Sequence, residues 1–251
     1  MPESVRTSKP SIAELRAATQ PPEIFARNSG EHWAGRLYIR RLSPYATRVF
    51  LRLGLSPNAV TWLFIAAGLA AAGVLAARDL GIAGVIAAVL LIQVQILLDC
   101  SDGEVARWQG RYSAKGIYLD RIGHYLTESA LPIALGIRAD EVTLGLVIAV
   151  LVLLIKSETA LVHVARTEAG HPPVADRADV AAPRGGLLRR LRHGLRAIPF
   201  YRAFVAMEFT LLVLLAEVLD ATDTLLVVLV PVAAITALGH LVAILTSDRL
   251  R

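Results

Sequence analysis

The chain has 251 residues, of which 55% are hydrophobic and 19% charged, and its mean hydropathy is +0.55. Soluble domains carry about a quarter charged residues, so an ordinary soluble globular protein is excluded. A net charge of +5 with a pI near 9.7 favours a membrane surface over nucleic acid, for which no reading module is present, and the single Cys100 excludes an intrachain disulfide.

Residues 1–32 are polar, contain Pro10, Pro21, Pro22 and Gly30, and lack an apolar core of the secretory kind; they read as a flexible cytoplasmic tail. Residues 33–53 interleave Trp33, Leu37, Ile39, Leu42, Tyr45, Val49, Phe50 and Leu53 with five arginines. That pattern predicts an amphipathic helix lying on the inner leaflet, drawn to anionic lipid. The remainder, residues 54–251, holds six apolar segments near the length a bilayer needs: 57–77, 82–106, 114–137, 142–166, 200–219 and 224–246. The predicted fold is all-α, a polytopic membrane protein with six transmembrane helices.

Arginine and lysine alternate in density from one side to the other. Arg36, Arg40, Arg41, Arg48 and Arg52 precede the first span, Arg107, Arg111 and Lys115 follow the second, and seven arginines lie from Arg166 to Arg196. The opposite side carries only Arg78 and Arg138. The positive-inside rule therefore places both termini in the cytoplasm of a plasma (inner) membrane protein. The connection over residues 167–199 contains Pro172, Pro173 and Pro183, which bars one uninterrupted helix. Within it residues 187–195 read as a second basic interfacial segment.

Charge at the end of the second apolar segment is the sharpest feature. Carboxylates at membrane depth are costly unless they face a cavity, a partner or a metal. Asp99, Asp102, Gly103 and Ala106 fall at i, i+3, i+4 and i+7 and share one helical face. Arg107 follows directly, then Gly116, Asp120 and His124 at the start of the third segment. Hard divalent cations take oxygen ligands, and Asp99, Asp102 and Asp120 would supply them.

Written as D-x2-D-G-x2-A-R-x8-G-x3-D-x3-D, the signature of the CDP-alcohol phosphotransferase (CDP-alcohol phosphatidyltransferase) family of integral membrane enzymes resembles this run. Seven of the eight positions match, and His124 stands where the family has its last aspartate. The resemblance implies Mg²⁺-dependent (or Mn²⁺-dependent) transfer of a phospho-alcohol group, such as phosphatidyl, from a CDP-alcohol donor to a hydroxyl acceptor, with release of CMP, in phospholipid or related phosphodiester synthesis. It also implies a homodimer. Gly103, Ala106 and Gly116 would admit the donor's diphosphate close to the backbone, and the guanidinium of Arg107 suits a diphosphate oxygen.

Ser56, Pro57, Asn58 and Thr61 read either as an ordinary helix start or, through their resemblance to the family's Pro-Asn-x2-Thr element, as a nucleotide-binding element with Asn58 and Thr61 as contact candidates. Asp120 and His124 are the catalytic candidates. An imidazole accepts a hydroxyl proton well but is a poorer Mg²⁺ ligand than a carboxylate, so His124 reads as the general base, as a ligand or substrate contact, or as a mark of lost activity. Lys156, Arg166 and Arg202, in or beside the fourth and fifth segments, are acceptor-binding candidates. Two competing classes are a transporter using Asp99, Asp102 and Lys156 as a relay, and a non-catalytic relative that binds nucleotide or lipid. The 99–124 pattern does not recur in residues 142–246, which speaks against the repeats common in transporters.

Overall fold

The computed structural model describes residues 9–21, 33–171, 200–247 and 250. Every regular element among them is helical: α1 (Ile12–Thr19), a π-helical turn (Gly35–Ile39), α2 (Arg40–Arg52), α3 (Pro57–Ala76), α4 (Gly81–Gln109), α5 (Ala114–Arg138), α6 (Val142–Glu168), α7 (Ala206–Val218) and α8 (Thr222–Thr246), with short 3₁₀ turns at Arg78–Leu80 and Phe200–Phe204. The basic segment expected over residues 187–195 lies outside the described residues.

Four of the six expected spans are long and apolar enough to cross a membrane: Pro57–Ala76, α4 together with the preceding 3₁₀ turn (Arg78–Gln109), Val142–Glu168 and Thr222–Thr246. Their outward sides carry Trp62, Leu90, Val150, Val227 and Leu245, each more than half exposed, as lipid-facing helices do. The other two differ for separate reasons. Helix α5 is long enough, but Lys115, Asp120, Arg121, Glu128 and Arg138 punctuate it. Helix α7 has only 13 residues, about 20 Å at 1.5 Å per residue.

The described residues form two compact units. One takes the chain up to Ala71 together with Ala87–Thr127; the other takes Ala72–Ile86 and everything from Glu128 onward. The first unit is built on Leu15, Leu51, Val60, Phe64, Ile65, Leu98, Val105 and Trp108, contributed by α1, α2, α3 and α4. Leu15 is fully buried there, so part of the segment expected as a flexible tail is folded. A capping box explains how so short a helix starts: the Ser11 hydroxyl accepts from the Glu14 amide at 3.2 Å, and the Ser11 amide donates to the Glu14 carboxylate at 2.7 Å. Those bonds hold the Glu14 carboxylate below its ordinary range.

Helix α2 turns its small and polar residues inward, burying Ser43, Pro44, Thr47 and Leu51. Leu42, Tyr45 and Val49 of α2, with Leu37 of the preceding π turn and Leu53 at the helix end, are each at least half exposed. A π-helical turn at Gly35–Ile39 leads into α2 and buries Gly35 and Ile39. Tyr38 of that turn bonds to Gln93 of α4.

In the second unit α6 and α8 pack along one another, with Ile148, Val152 and Val162 buried on α6 and Leu226, Leu229 and Ala233 buried on α8. Arg138, at the end of α5, gathers several chain ends. Its guanidinium pairs with Glu217 of α7 and donates to the carbonyls of Leu75 at 3.4 Å and Gly81 at 2.8 Å. Arg78 donates to the Arg138 carbonyl at 2.7 Å.

Candidate active site

The motif lies wholly in the first unit, on the hairpin that α4 and α5 make. Helix α4 stops at Gly110, whose φ of +64° only glycine adopts without strain, and the Arg111 amide reaches back to the Ala106 carbonyl at 3.0 Å. Helix α5 starts four residues later, at Ala114, with the Ser113 hydroxyl accepting from the Gly116 amide at 3.0 Å. This tight reversal brings Asp120 and His124 back alongside Asp99.

His124 Nε2 lies 3.3 Å from Asp99 Oδ1 and 3.7 Å from Asp120 Oδ1. The ligating atoms of Asp99, Asp120 and His124 all fall within 4.8 Å of one another. Their side chains are between 32% and 42% exposed, so the cluster is reachable from outside. Ligands about 2.1 Å from a cation at right angles to one another sit about 3 Å apart, and opposed ones about 4 Å, so this spacing fits a single divalent ion. The ring is steered by Phe64, whose centroid stands 5.0 Å away at 61°, an edge-on contact. Gly123 makes room for that contact, since a Cβ there would fall 2.2 Å from Phe64 Cε1.

Asp102 stands outside this trio. It is buried, and its Oδ2 accepts the Thr61 hydroxyl at 2.7 Å. Thr61 is itself 3% exposed, so its visible role is to hold Asp102. Asn58 lies beside Gly116: an added Cβ there would stand 3.1 Å from Asn58 Oδ1. Gly103 underlies Arg107, with Nη1 3.1 Å and Nη2 3.3 Å from where its Cβ would be. Ala106 is half-buried one turn beyond Gly103.

The acceptor candidates belong to the second unit. Lys156 Nζ lies 2.6 Å from Glu128 Oε2, Arg166 is buried on α6, and Arg202 is exposed on the Phe200–Phe204 turn. A second pair sits nearby on α6 and α8, where His240 Nδ1 is 2.7 Å from Glu158 Oε2.

The sequence reading overlooked Glu104, which is completely buried. It accepts hydrogen bonds from Ser43 at 2.5 Å, Thr47 at 2.7 Å and Gln20 at 2.8 Å, with Arg40 Nη1 3.6 Å away. The rule that singled out Asp99 and Asp102, charge at membrane depth, applies equally to this residue.

The chain belongs to the CDP-alcohol phosphatidyltransferase family, whose model matches residues 54–238, well over half its length. No curated protein matches the chain significantly. With its four apolar helices, membership makes it an integral membrane protein. Proteins of this family are metal-dependent transferases that move a phospho-alcohol group from a CDP-alcohol to an alcohol acceptor.

Proposed function

We propose that this protein is a Mg²⁺- or Mn²⁺-dependent CDP-alcohol phosphotransferase acting at the inner face of the plasma membrane. The observation that carries the reading is the convergence of Asp99, Asp120 and His124 on one point, in a member of this family. Asp99 and Asp120, with Asp102 behind them, would hold the cation. When bound, that ion would offset charge on the diphosphate and on the departing CMP oxygen. Arg107 faces the diphosphate above Gly103, and Asn58 with Gly116 and Ala106 lines the nucleotide side. An acceptor hydroxyl forms a bond to the β-phosphorus, the bridging oxygen leaves with CMP, and His124 takes the hydroxyl proton. The adjacent carboxylates stabilise the imidazolium so formed.

In this reading all six apolar segments cross the bilayer, both termini are cytoplasmic, and α2 lies in the headgroup layer with its apolar stripe toward lipid. Lys156, Arg166 and Arg202 hold the anionic group of the acceptor, and the protein works as a homodimer. The donor is either CDP-diacylglycerol paired with a soluble polyol phosphate or a soluble CDP-alcohol paired with a lipid hydroxyl.

The test is CMP release by purified protein in nanodiscs, with each donor–acceptor pairing and with Mg²⁺, Mn²⁺ or a chelator. We expect CMP with one pairing and none with the chelator. Absence of CMP across all pairings, with no CMP or CDP binding, would reduce the protein to a non-catalytic relative.

A further inference from the structure

The amino-terminal segment lies outside the matched region 54–238, yet it reaches the motif. The carbonyl of Thr19, at the end of α1, accepts a hydrogen bond from Arg107 Nε at 2.6 Å. The carbonyl end of a helix carries partial negative charge, so the contact suits a guanidinium. A guanidinium is a rigid planar fork. Fixing its Nε edge also fixes where Nη1 and Nη2 go, and those two nitrogens lie over Gly103, 3.1 Å and 3.3 Å from where a Cβ would stand. Paired terminal nitrogens are the edge that grips a phosphate through two parallel bonds.

Helix α1 is itself held in register. Leu15 is buried in the core with Leu98, Val105 and Trp108, and Arg16 donates to the Arg41 carbonyl at 3.1 Å. The Gln20 amide donates to the Arg40 carbonyl and to Glu104 Oε1, each at 2.8 Å. Glu104 is the neighbour of Gly103 on α4 and also receives Ser43 and Thr47 of α2. One buried carboxylate thus joins α1, α2 and the motif helix.

We infer that α1 is a positioning element of the donor site: the Thr19 carbonyl, locked in place by Leu15 and by Gln20 on Glu104, aims the terminal nitrogens of Arg107 at the donor's diphosphate. The inference rests on the proposed transferase reading. It makes the segment before residue 21 a determinant of donor affinity rather than of the chemical step.

The experiment compares the full-length protein with Gln20→Ala and Leu15→Asp, reading CMP affinity by calorimetry, donor KM and kcat, and tryptic cleavage after Arg16 as the report of undocking. We expect cleavage to appear, CMP affinity to weaken and donor KM to rise about tenfold, the size of losing an aligned charged hydrogen bond, with kcat within about twofold. Gln20→Ala removes no core side chain, so it keeps the test intact if Leu15→Asp fails to fold. An undocked α1 with unchanged CMP affinity and donor KM would overturn the inference, as would a Gln20→Ala enzyme altered in kcat alone. Failure of the full-length protein to bind CMP would instead count against the transferase reading itself.

Discussion

His124 Nε2, on α5, stands 3.3 Å from Asp99 Oδ1, on α4. The pair joins the first and last positions of the motif across the helical hairpin, and it places an imidazole where the family has a carboxylate. Asp99 touches both the ring and the point where a cation would sit, so its loss should be felt in metal binding and in catalysis together.

Asp99→Asn is therefore expected to lower kcat/KM by at least about a hundredfold, the scale of removing a charge-stabilising group from a transition state. Binding of Mn²⁺, followed by its electron paramagnetic resonance signal, should weaken in parallel. A variant that turns over normally would remove Asp99 from the site.

His124→Ala should lose about 10²- to 10⁴-fold in kcat, the range of general-base catalysis. His124→Asp restores the family's own group and should recover part of that loss. The contrast between the two variants separates a proton acceptor from a residue that only fills space. If the alanine variant works as well as the native protein, the histidine has no part in the mechanism.

Gly123→Ala tests how the ring is aimed. Its Cβ would meet Phe64 Cε1 at 2.2 Å and Ile65 Cγ1 at 2.8 Å, so Phe64 must move, and Phe64 is what packs edge-on against His124. We expect about 1–3 kcal/mol of destabilisation from overpacking, with a fall in kcat larger than the loss of folded protein explains. Gly73→Ala, where nothing lies within 4 Å, is the control and should leave both unchanged or stability slightly raised. Equal behaviour of the two variants would show that Phe64 does not set the ring's position.

Much of this arrangement was legible in the chain itself. Helical spacing placed Asp99, Asp102, Gly103 and Ala106 on one face, and four runs of apolar residues announced their helices because a span must satisfy its backbone internally. Two things were not legible. Spacing along α4 says which residues share a face but not which acid turns toward α5, and Asp102 turns instead to Thr61. The fold of residues 12–19 was hidden because eight residues carry too weak a periodic signal, and the helix depends on packing Leu15 into a core made elsewhere.

Glu104 gives the stability test of that packing. A buried carboxylate is tolerated only when its oxygens are satisfied, and here three side-chain donors and the guanidinium of Arg40 surround it. Glu104→Ala strands the hydroxyl donors of Ser43 and Thr47, leaves the Gln20 amide its bond to the Arg40 carbonyl but no carboxylate, and takes the carboxylate from beside the Arg40 guanidinium, which should cost about 3–5 kcal/mol. Glu104→Gln keeps an acceptor oxygen and nearly the same shape, and the Thr47 hydroxyl can rotate to accept from the new amide, so its cost should be nearer 1 kcal/mol. Thermal unfolding in detergent should therefore rank native above Gln above Ala, with α1 released first as new tryptic cleavage after Arg16. Identical melting of the alanine variant and the native protein would show that α1, α2 and α4 are held together by their apolar contacts alone.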